Sequence, residues 1–372
     1  MRRDFLRDKH HANGCSRRRF LGYATGALAA TVLRPTLAGD TPSSGTTAAK
    51  PDHAPQTGGS PLIWANLLHL SYNMWCDRSL TPSNPITVGE ATHYQPYLRC
   101  DDKLWEELTD RMAKAKMNMI VIDLGDGVQY QSHPEIAVKG AWSTERLRKE
   151  LARLRKLGLE PIPKLNFSTT HDAWLGVYSR QVSTPPYYKV CEDLIEEVIH
   201  LFDKPRLFHL GYDEETAASQ AGKAYVVVRQ YDLWWSDFQF FMKKVEDRGV
   251  RPWIWSDYAW NNGEQFLKRM PKSVMQSNWC YYAEFVDTKT EVHWFGELER
   301  NGYDQIPTSS NWLSPKSFGA MVEYCQKKIA PPRLKGFLQT PWLPTLETFR
   351  QKHIEAIDQV AAAMAAYAKQ VQ

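Results

Sequence analysis

The chain has 372 residues, 43% apolar and 24% charged, which excludes a disordered protein and supplies enough apolar side chains for a sizeable core. The net charge of +4 is small, and much of the basic excess sits near the N-terminus. No basic stripe with interleaved aromatics runs through the body, so the pattern argues against nucleic-acid binding. The 14 Trp and 17 Tyr stand out. Most read as core, but flat rings left open in a cleft suit the apolar faces of sugars.

In chain order, the first element is an address. The stretch "SRRRFLGYATGALAATVLRPTLA", residues 16–38, joins an Arg-rich start, an apolar run and a small-residue end near Ala38. Ser16, Arg17, Arg18, Phe20 and Leu21 resemble the twin-arginine export signal. That resemblance implies passage through the twin-arginine translocation machinery and a periplasmic or extracellular location. The apolar run is short and Gly/Ala-rich for a membrane span, so a cleaved signal peptide over 1–38 is expected, with an uncleaved membrane anchor as the alternative. Residues 39–60, rich in Gly, Ser, Thr and Pro, read as a disordered linker. The folded domain is expected over 61–372.

From there, short apolar runs alternate with amphipathic stretches. Strands are expected within 62–70, 117–125, 159–167, 206–213, 251–258, 273–281, 303–312 and 334–342. Between most of them lie helical patterns. "DDKLWEELTDRMAKAK" places Leu104, Trp105, Leu108 and Met112 on one face. "STERLRKELARLRKLG" opens on Ser143 or Thr144 as a cap and ends at Gly158. About eight βα units predict an α/β fold with parallel strands: a single (β/α)8 TIM barrel. An open doubly wound sheet is the alternative, but no Gly-rich phosphate loop follows the first strand.

Active sites of such barrels gather at the C-terminal ends of the strands. Here those ends carry Tyr72 and Asn73, Asp123 and Asp126, Asn166 and His171, Asp213 and Glu214, Trp255 and Asp257, Asn278 and Trp279, Asn311 and Trp312, and Gln339 and Trp342. Singly, each also reads as a capped turn or rim residue; together they recur at one place in each unit. The stretch "RLFHLGYDEETA", residues 206–217, is the most telling. Asp213 and Glu214 follow a buried apolar run, where adjacent carboxylates repel one another and lose solvation. One of the two, assigned here as Glu214, is expected to stay protonated near neutral pH. Glu215 is expected to be a helix N-terminal carboxylate.

The segment "HLGYDEE" resembles the His-x-Gly-Gly-Asp-Glu motif of family 20 glycoside hydrolases, the β-N-acetylhexosaminidases. "GLEPIPKLNFSTTH" and "NMIVIDLGDG" resemble that family's third- and second-strand segments. The resemblance implies that Asp213 and Glu214 are the catalytic pair, with Glu214 as acid and Asp213 orienting the substrate's 2-acetamido group, which acts as nucleophile. It places His171, oriented by Asp126, as a partner of Glu214, and Trp255, Trp279, Trp312 and Trp342 as walls of the sugar site. The implied partner is a carbohydrate substrate. There are departures. Lys164 stands where the family has Glu, Ser-Thr-Thr replaces the Pro-Gly before His171, Tyr212 replaces the second Gly, and Pro344 replaces a Glu. The first strand lacks the family's Arg, and Arg78 lies further along, in the loop.

Two other readings stay open: a glycosidase using ordinary carboxylates, with Glu284 or Asp257 as partner of Glu214, and a non-catalytic carbohydrate-binding barrel. No His/Cys/carboxylate cluster has metal-ligand spacing, so no metal or organic cofactor is implied. Of the six cysteines, Cys15 leaves with the signal. Cys76, Cys100, Cys191, Cys280 and Cys325 lack CxxC spacing; either Cys76 pairs with Cys100 or all five remain thiols. Changing Arg17 and Arg18 together to Lys is expected to leave folded protein in the cytoplasm, and cell fractionation showing unchanged periplasmic delivery would sink the export reading.

Overall fold

Strands that are apolar on both faces need cover on both sides, and the chain supplies it by wrapping a cylinder of strands in helices. The structure, a computed structural model, describes residues 61–371; the signal and linker read at 1–60 lie outside the described residues. The barrel strands are β1 (Ile63–His69), β2 (Met119–Asp123), β3 (Glu160–Lys164), β4 (Leu207–His209), β5 (Arg251–Trp255), β6 (Met275–Ser277), β7 (Thr308–Ser309) and β8 (Gly336–Gln339). Each falls within an expected span. They pair in parallel from β1 through β6 on one side and from β1 to β8 and β7 on the other. Parallel bridges Gln276–Gln305 and Trp279–Thr308 join the β6 and β7 segments and close the ring. The (β/α)8 barrel is therefore the observed fold.

Helices follow the strands in turn: α1 (Asp102–Lys114), α2 (Thr144–Lys156), α3 (Pro185–Leu201), α4 (Tyr231–Glu246), α5 (Tyr258–Arg269), α6 (Thr290–Arg300), α7 (Ser317–Lys328) and α8 (Arg350–Val371). The buried residues of α1, Leu104, Trp105, Leu108, Thr109 and Met112, include the four read from the period. Ser143 caps α2, its hydroxyl accepting from the Arg146 N–H. The last helix meets the first through a bidentate pair, Arg111 to Asp358, so the outer layer closes as well.

Sequence explains one irregularity. Pro161 and Pro163 sit in β3, a central strand, and cannot donate to a ladder. The N–H groups that do reach β4 belong to Leu165 and Phe167 beyond them. Pairing between β3 and β4 accordingly contracts to Lys164 opposite His209.

The barrel interior is apolar over most of its length, with Ile63, Ala65, Leu67, Met119, Val121, Ile162, Leu207, Trp253 and Met275 in one cluster. At the C-terminal end it turns polar. Strand register sets His69 beside Asp123, Asp123 beside Lys164, and Lys164 beside His209, all buried. Lys164 Nζ lies 2.6 Å from Asp123 Oδ2, and His69 Nδ1 lies 3.3 Å from the same oxygen. Burial would raise the Asp123 carboxyl, but Lys164 and His69 outweigh it and hold it below its ordinary value. His209 is pushed well down by burial and then by Lys164, and its Nδ1 accepts from the Gly211 N–H at 3.0 Å.

All five thiols are free and buried, so the Cys76–Cys100 pairing does not form. Cys76 faces the loop after β4, its Sγ donating to the Gly222 carbonyl, whereas Cys100 bridges to Thr345 after β8. Removing one member of a buried ion pair strands the other. Asp123→Ala is therefore expected to cost about 3–5 kcal/mol in guanidinium unfolding, and Asp123→Leu combined with Lys164→Met considerably less.

Candidate active site

The site begins where β4 ends. Gly211 has φ +74°, and a Cβ there would stand 1.9 Å from Asn166 Oδ1, so glycine is required. Tyr212 follows at φ +74° and Glu214 at φ +52°. Left-handed conformations in such residues cost on the order of 1–3 kcal/mol each and persist only when the surroundings hold them. Tyr212 turns outward among Trp234, Phe238 and Phe241, its hydroxyl accepting from Arg229 Nη1. The turn leaves Asp213 and Glu214 beside the same imidazole.

Asp213 accepts from Asn166 Nδ2 at 2.9 Å, and its Oδ2 lies 3.2 Å from His171 Nε2. Glu214 Oε2 lies 3.6 Å from the same nitrogen. Burial alone would raise the Asp213 carboxyl. The His171 charge, with smaller contributions from Lys164 and Asn166, overcomes it and brings the value down to about 2. Burial alone would likewise lower His171, but the Asp213 charge first and Glu214 second bring it up to about 9. Burial first and like charge second push a further carboxyl up to about 8, that of Asp257 after β5, with Asp213 the larger of its two anionic neighbours.

Asp257 Oδ2 accepts from the Glu214 N–H at 2.8 Å, and its Oδ1 from the Trp279 indole at 3.2 Å. Trp279 stacks on Tyr281, with centroids 4.9 Å apart. The Tyr281 hydroxyl accepts from Trp342 Nε1 at 2.8 Å, and the Trp342 carbonyl accepts from Tyr72. Trp75 stands edge-on to both His171 and Trp342, at 4.6 and 5.9 Å. Trp255 is buried against His209 and Trp342. The mouth is thus ringed by linked side chains from the loops after β1, β3, β4, β5, β6 and β8.

Of the residues read from sequence, Asp213, Glu214, His171, Trp255, Trp279 and Trp342 come together here. Asp126 does not orient His171. Its carboxylate accepts from the Ser71 hydroxyl and from Asn73 Nδ2, and burial pushes it up to about 7. It ties down the β1 loop that presents Tyr72 and Trp75. Trp312 also stands apart, 38% exposed, with no ring contact among the described residues to the other three. Glu215 is not at a helix start: α4 begins at Tyr231, and Glu215 pairs with buried Arg229. Glu284 is 73% exposed and paired with Lys289. Arg78 donates to the Gly222 carbonyl, pinning the β4 loop, and the Pro344 carbonyl meets His353 Nε2. Trp75 and Tyr281 were missed. Tyr281 had a signal, since it lies two residues after Trp279 and so on the same side of an extended segment. Among the described residues, no group of three His, Cys, Asp or Glu could hold a metal.

No protein-family model matches the chain, and no curated protein matches its sequence. Solved structures do. The barrel is similar to those of GH20 β-N-acetylhexosaminidases. The GH20 exo-β-N-acetylglucosaminidase of Vibrio harveyi, in complex with N-acetylglucosamine, matches at TM-score 0.52 and 13% identity, over 79% of this chain and 54% of that one. The β-N-acetylhexosaminidase of Bacteroides fragilis matches at 0.55 and 12%, over 82% and 65%. The Streptomyces plicatus N-acetyl-β-hexosaminidase matches at 0.54 and 13%, over 81% and 64%. The chain spans less than two thirds of the length of these enzymes, and at this identity the likeness is one of fold.

The His171 charge is checkable without any substrate. Its pKa is raised, so its pairing stabilises the fold fully below about 6.5, the ordinary histidine value, and that contribution is lost as pH rises through about 9. In Asp213→Asn the largest raising influence is gone and burial should win. Imidazole NMR is expected to show His171 titrating far lower, and an unchanged titration would refute the assignment.

Proposed function

We propose that this protein is a glycoside hydrolase that cleaves β-linked N-acetylhexosamine with retention, using the substrate's own acetamido group as nucleophile. One observation carries the reading: Asp213 and Glu214, adjacent at the end of β4, converge on His171 inside an aromatic mouth, in a barrel similar to those of GH20 enzymes. Cleavage needs a proton for the leaving oxygen and a partner for the positive charge that develops at the anomeric carbon. Glu214, whose side chain is 31% exposed, reaches the open side of the mouth and gives its proton to the glycosidic oxygen. The acetamido carbonyl oxygen attacks the anomeric carbon as the C–O bond breaks, forming an oxazolinium-like ring. Asp213, held ionised by His171 and Asn166, accepts from the acetamido N–H and stabilises that cation. Water then gives a proton to the Glu214 carboxylate, and its oxygen attacks the anomeric carbon from the face the leaving group vacated, opening the ring with retention. Trp255, Trp279, Trp342 and Trp75 would wall the sugar. Export through the signal at 16–38 would place this activity in the periplasm or outside the cell.

Asp257 beside Glu214 favours a second reading, a glycosidase with two enzyme carboxylates and no acetamido requirement. Glu284 drops out of that reading because it points into solvent. Leaving-group dependence separates the roles. Glu214→Gln is expected to slow poor leaving groups by about 10²–10⁴-fold and activated aryl groups much less. Asp213→Asn should slow both, because it acts on the nucleophile. Rapid wild-type hydrolysis of plain β-glucosides would overturn substrate assistance in favour of the second reading, and binding without turnover of any aryl glycoside would favour a binding barrel.

A further inference from the structure

The reaction above gives Asp257 no part, yet its surroundings are those of a built element. Its side chain is buried, 8% exposed, and no Lys or Arg among the described residues pairs with it. Its two oxygens meet two N–H donors from different loops: the Glu214 backbone at 2.8 Å and the Trp279 indole at 3.2 Å. Glu214 needs such a hold. Its φ of +52° is unfavourable for a residue with a Cβ, and its N–H, partly buried, would otherwise lack an acceptor. On the other side of the residue, the Glu214 carbonyl accepts from Thr170 Oγ1 at 2.6 Å and the Thr216 N–H at 2.7 Å. The acid's main chain is therefore gripped from the β3 loop at its carbonyl and from the β5 loop at its nitrogen. The second oxygen of Asp257 extends the grip to Trp279, and through Tyr281 to Trp342.

We propose that Asp257 is a positioning residue: with one oxygen it fixes the backbone of Glu214 and with the other the ring of Trp279, so that acid and sugar-binding wall hold one geometry. The proposal rests on the reading of Glu214 as the acid. A carboxyl group suits the task because two donors need two acceptor oxygens. An amide offers one oxygen, and its NH2 would face the other donor. The β5 loop contributes no reacting group; it sets the distance from acid to glycosidic oxygen, and a misplacement of about 1 Å is enough to cost about 10²-fold in rate.

Two substitutions in the full chain test this on aryl N-acetyl-β-glucosaminides of graded leaving-group ability. Asp257→Ala frees both donors. Its kcat on poor leaving groups is expected to fall about 10²-fold, with a clearly smaller fall on activated ones. Asp257→Asn keeps an acceptor for Glu214 and sets its NH2 against Trp279, so its loss should appear mainly in KM, by about 10-fold, the equivalent of about 1.4 kcal/mol. Trp279→Phe, which deletes the second donor alone, should reproduce that KM change. Loss of kcat to the same degree on every leaving group, or both Asp257 variants within about three-fold of wild type, overturns the proposal; if Asp257→Ala does not fold, the Asn and Trp279→Phe pair decides. A crystal structure of the variant is an independent arm. Should the wild type turn over no hexosaminide, the hydrolase reading falls, while Glu214 leaving its left-handed conformation in Asp257→Ala upholds the positioning role and Glu214 staying in place refutes it; if the Ala variant does not fold, the Trp279 ring decides in Asp257→Asn, its displacement upholding the role and an unmoved ring refuting it.

Discussion

Two carboxylates adjacent in sequence at the end of a buried strand repel one another and lose water, and much of the mouth follows from keeping them there. The compensation is a single imidazole. His171 stands 3.2 Å from Asp213 and 3.6 Å from Glu214, where the anions outweigh the cost of burying its charge. The imidazolium in turn lets Asp213 remain ionised in a site that burial would otherwise neutralise. Each of the three depends on the others, so the cluster is cooperative in its charge as well as its geometry. Asp257, with no cation paired to it among the described residues, is pushed up by burial first and by the Asp213 charge second.

The polar layer below belongs to the same arrangement. Lys164 pairs with Asp123 and also acts on Asp213 and His209. A carboxylate in place of Lys164, as the family pattern has it, would add a second buried anion next to Asp123 and remove one influence that keeps Asp213 low. The departure at 164 is therefore consistent with the layer around it: Asp123 on the neighbouring strand supplies the balancing charge, and His209, held neutral, avoids a second cation. Similar reasoning covers Tyr212. The position tolerates a large side chain because the left-handed turn directs it away from the mouth, into the aromatic packing of α4, while Gly211, pressed against Asn166, has no such freedom.

Periodicity made the barrel legible. Helical stripes such as Leu104, Trp105, Leu108 and Met112, and strands apolar on both faces, leave few other architectures that bury every face. The pair at 213–214 was legible for a related reason, since charge placed directly after a buried run is costly and so conspicuous. Less could be read past the strand ends, where the two-residue alternation stops and the loop path decides direction. Asp126 and Asp257 look alike in sequence, each a short step beyond its strand, yet one is spent on Ser71 and Asn73 and the other reaches the mouth. Trp312 and Trp279 differ in the same way. Trp75 lies beyond a turn held through Asn73, which donates to Asp126 and accepts from Arg99. The upward shift at Asp257 was the hardest to foresee, because it comes from burial first and then from the Asp213 charge, and neither the depth nor the neighbour is visible in the sequence.

The linked side chains around the mouth bear on how such a site behaves as a unit. Tyr72, Trp342, Tyr281, Trp279, Asp257 and Glu214 form a chain of hydrogen bonds and one ring stack that crosses loops from five strands. His171 and Trp75 complete the circuit on the other side. Loops are ordinarily the least constrained parts of a barrel, and here two of the gripped residues, Glu214 and Trp342, hold positive φ. A change at any link should therefore be felt first at those two residues, which have the most backbone strain to release. On the proposed chemistry they are the proton donor and a wall of the sugar site, so the circuit ties the most strained backbone to the atoms whose placement matters most.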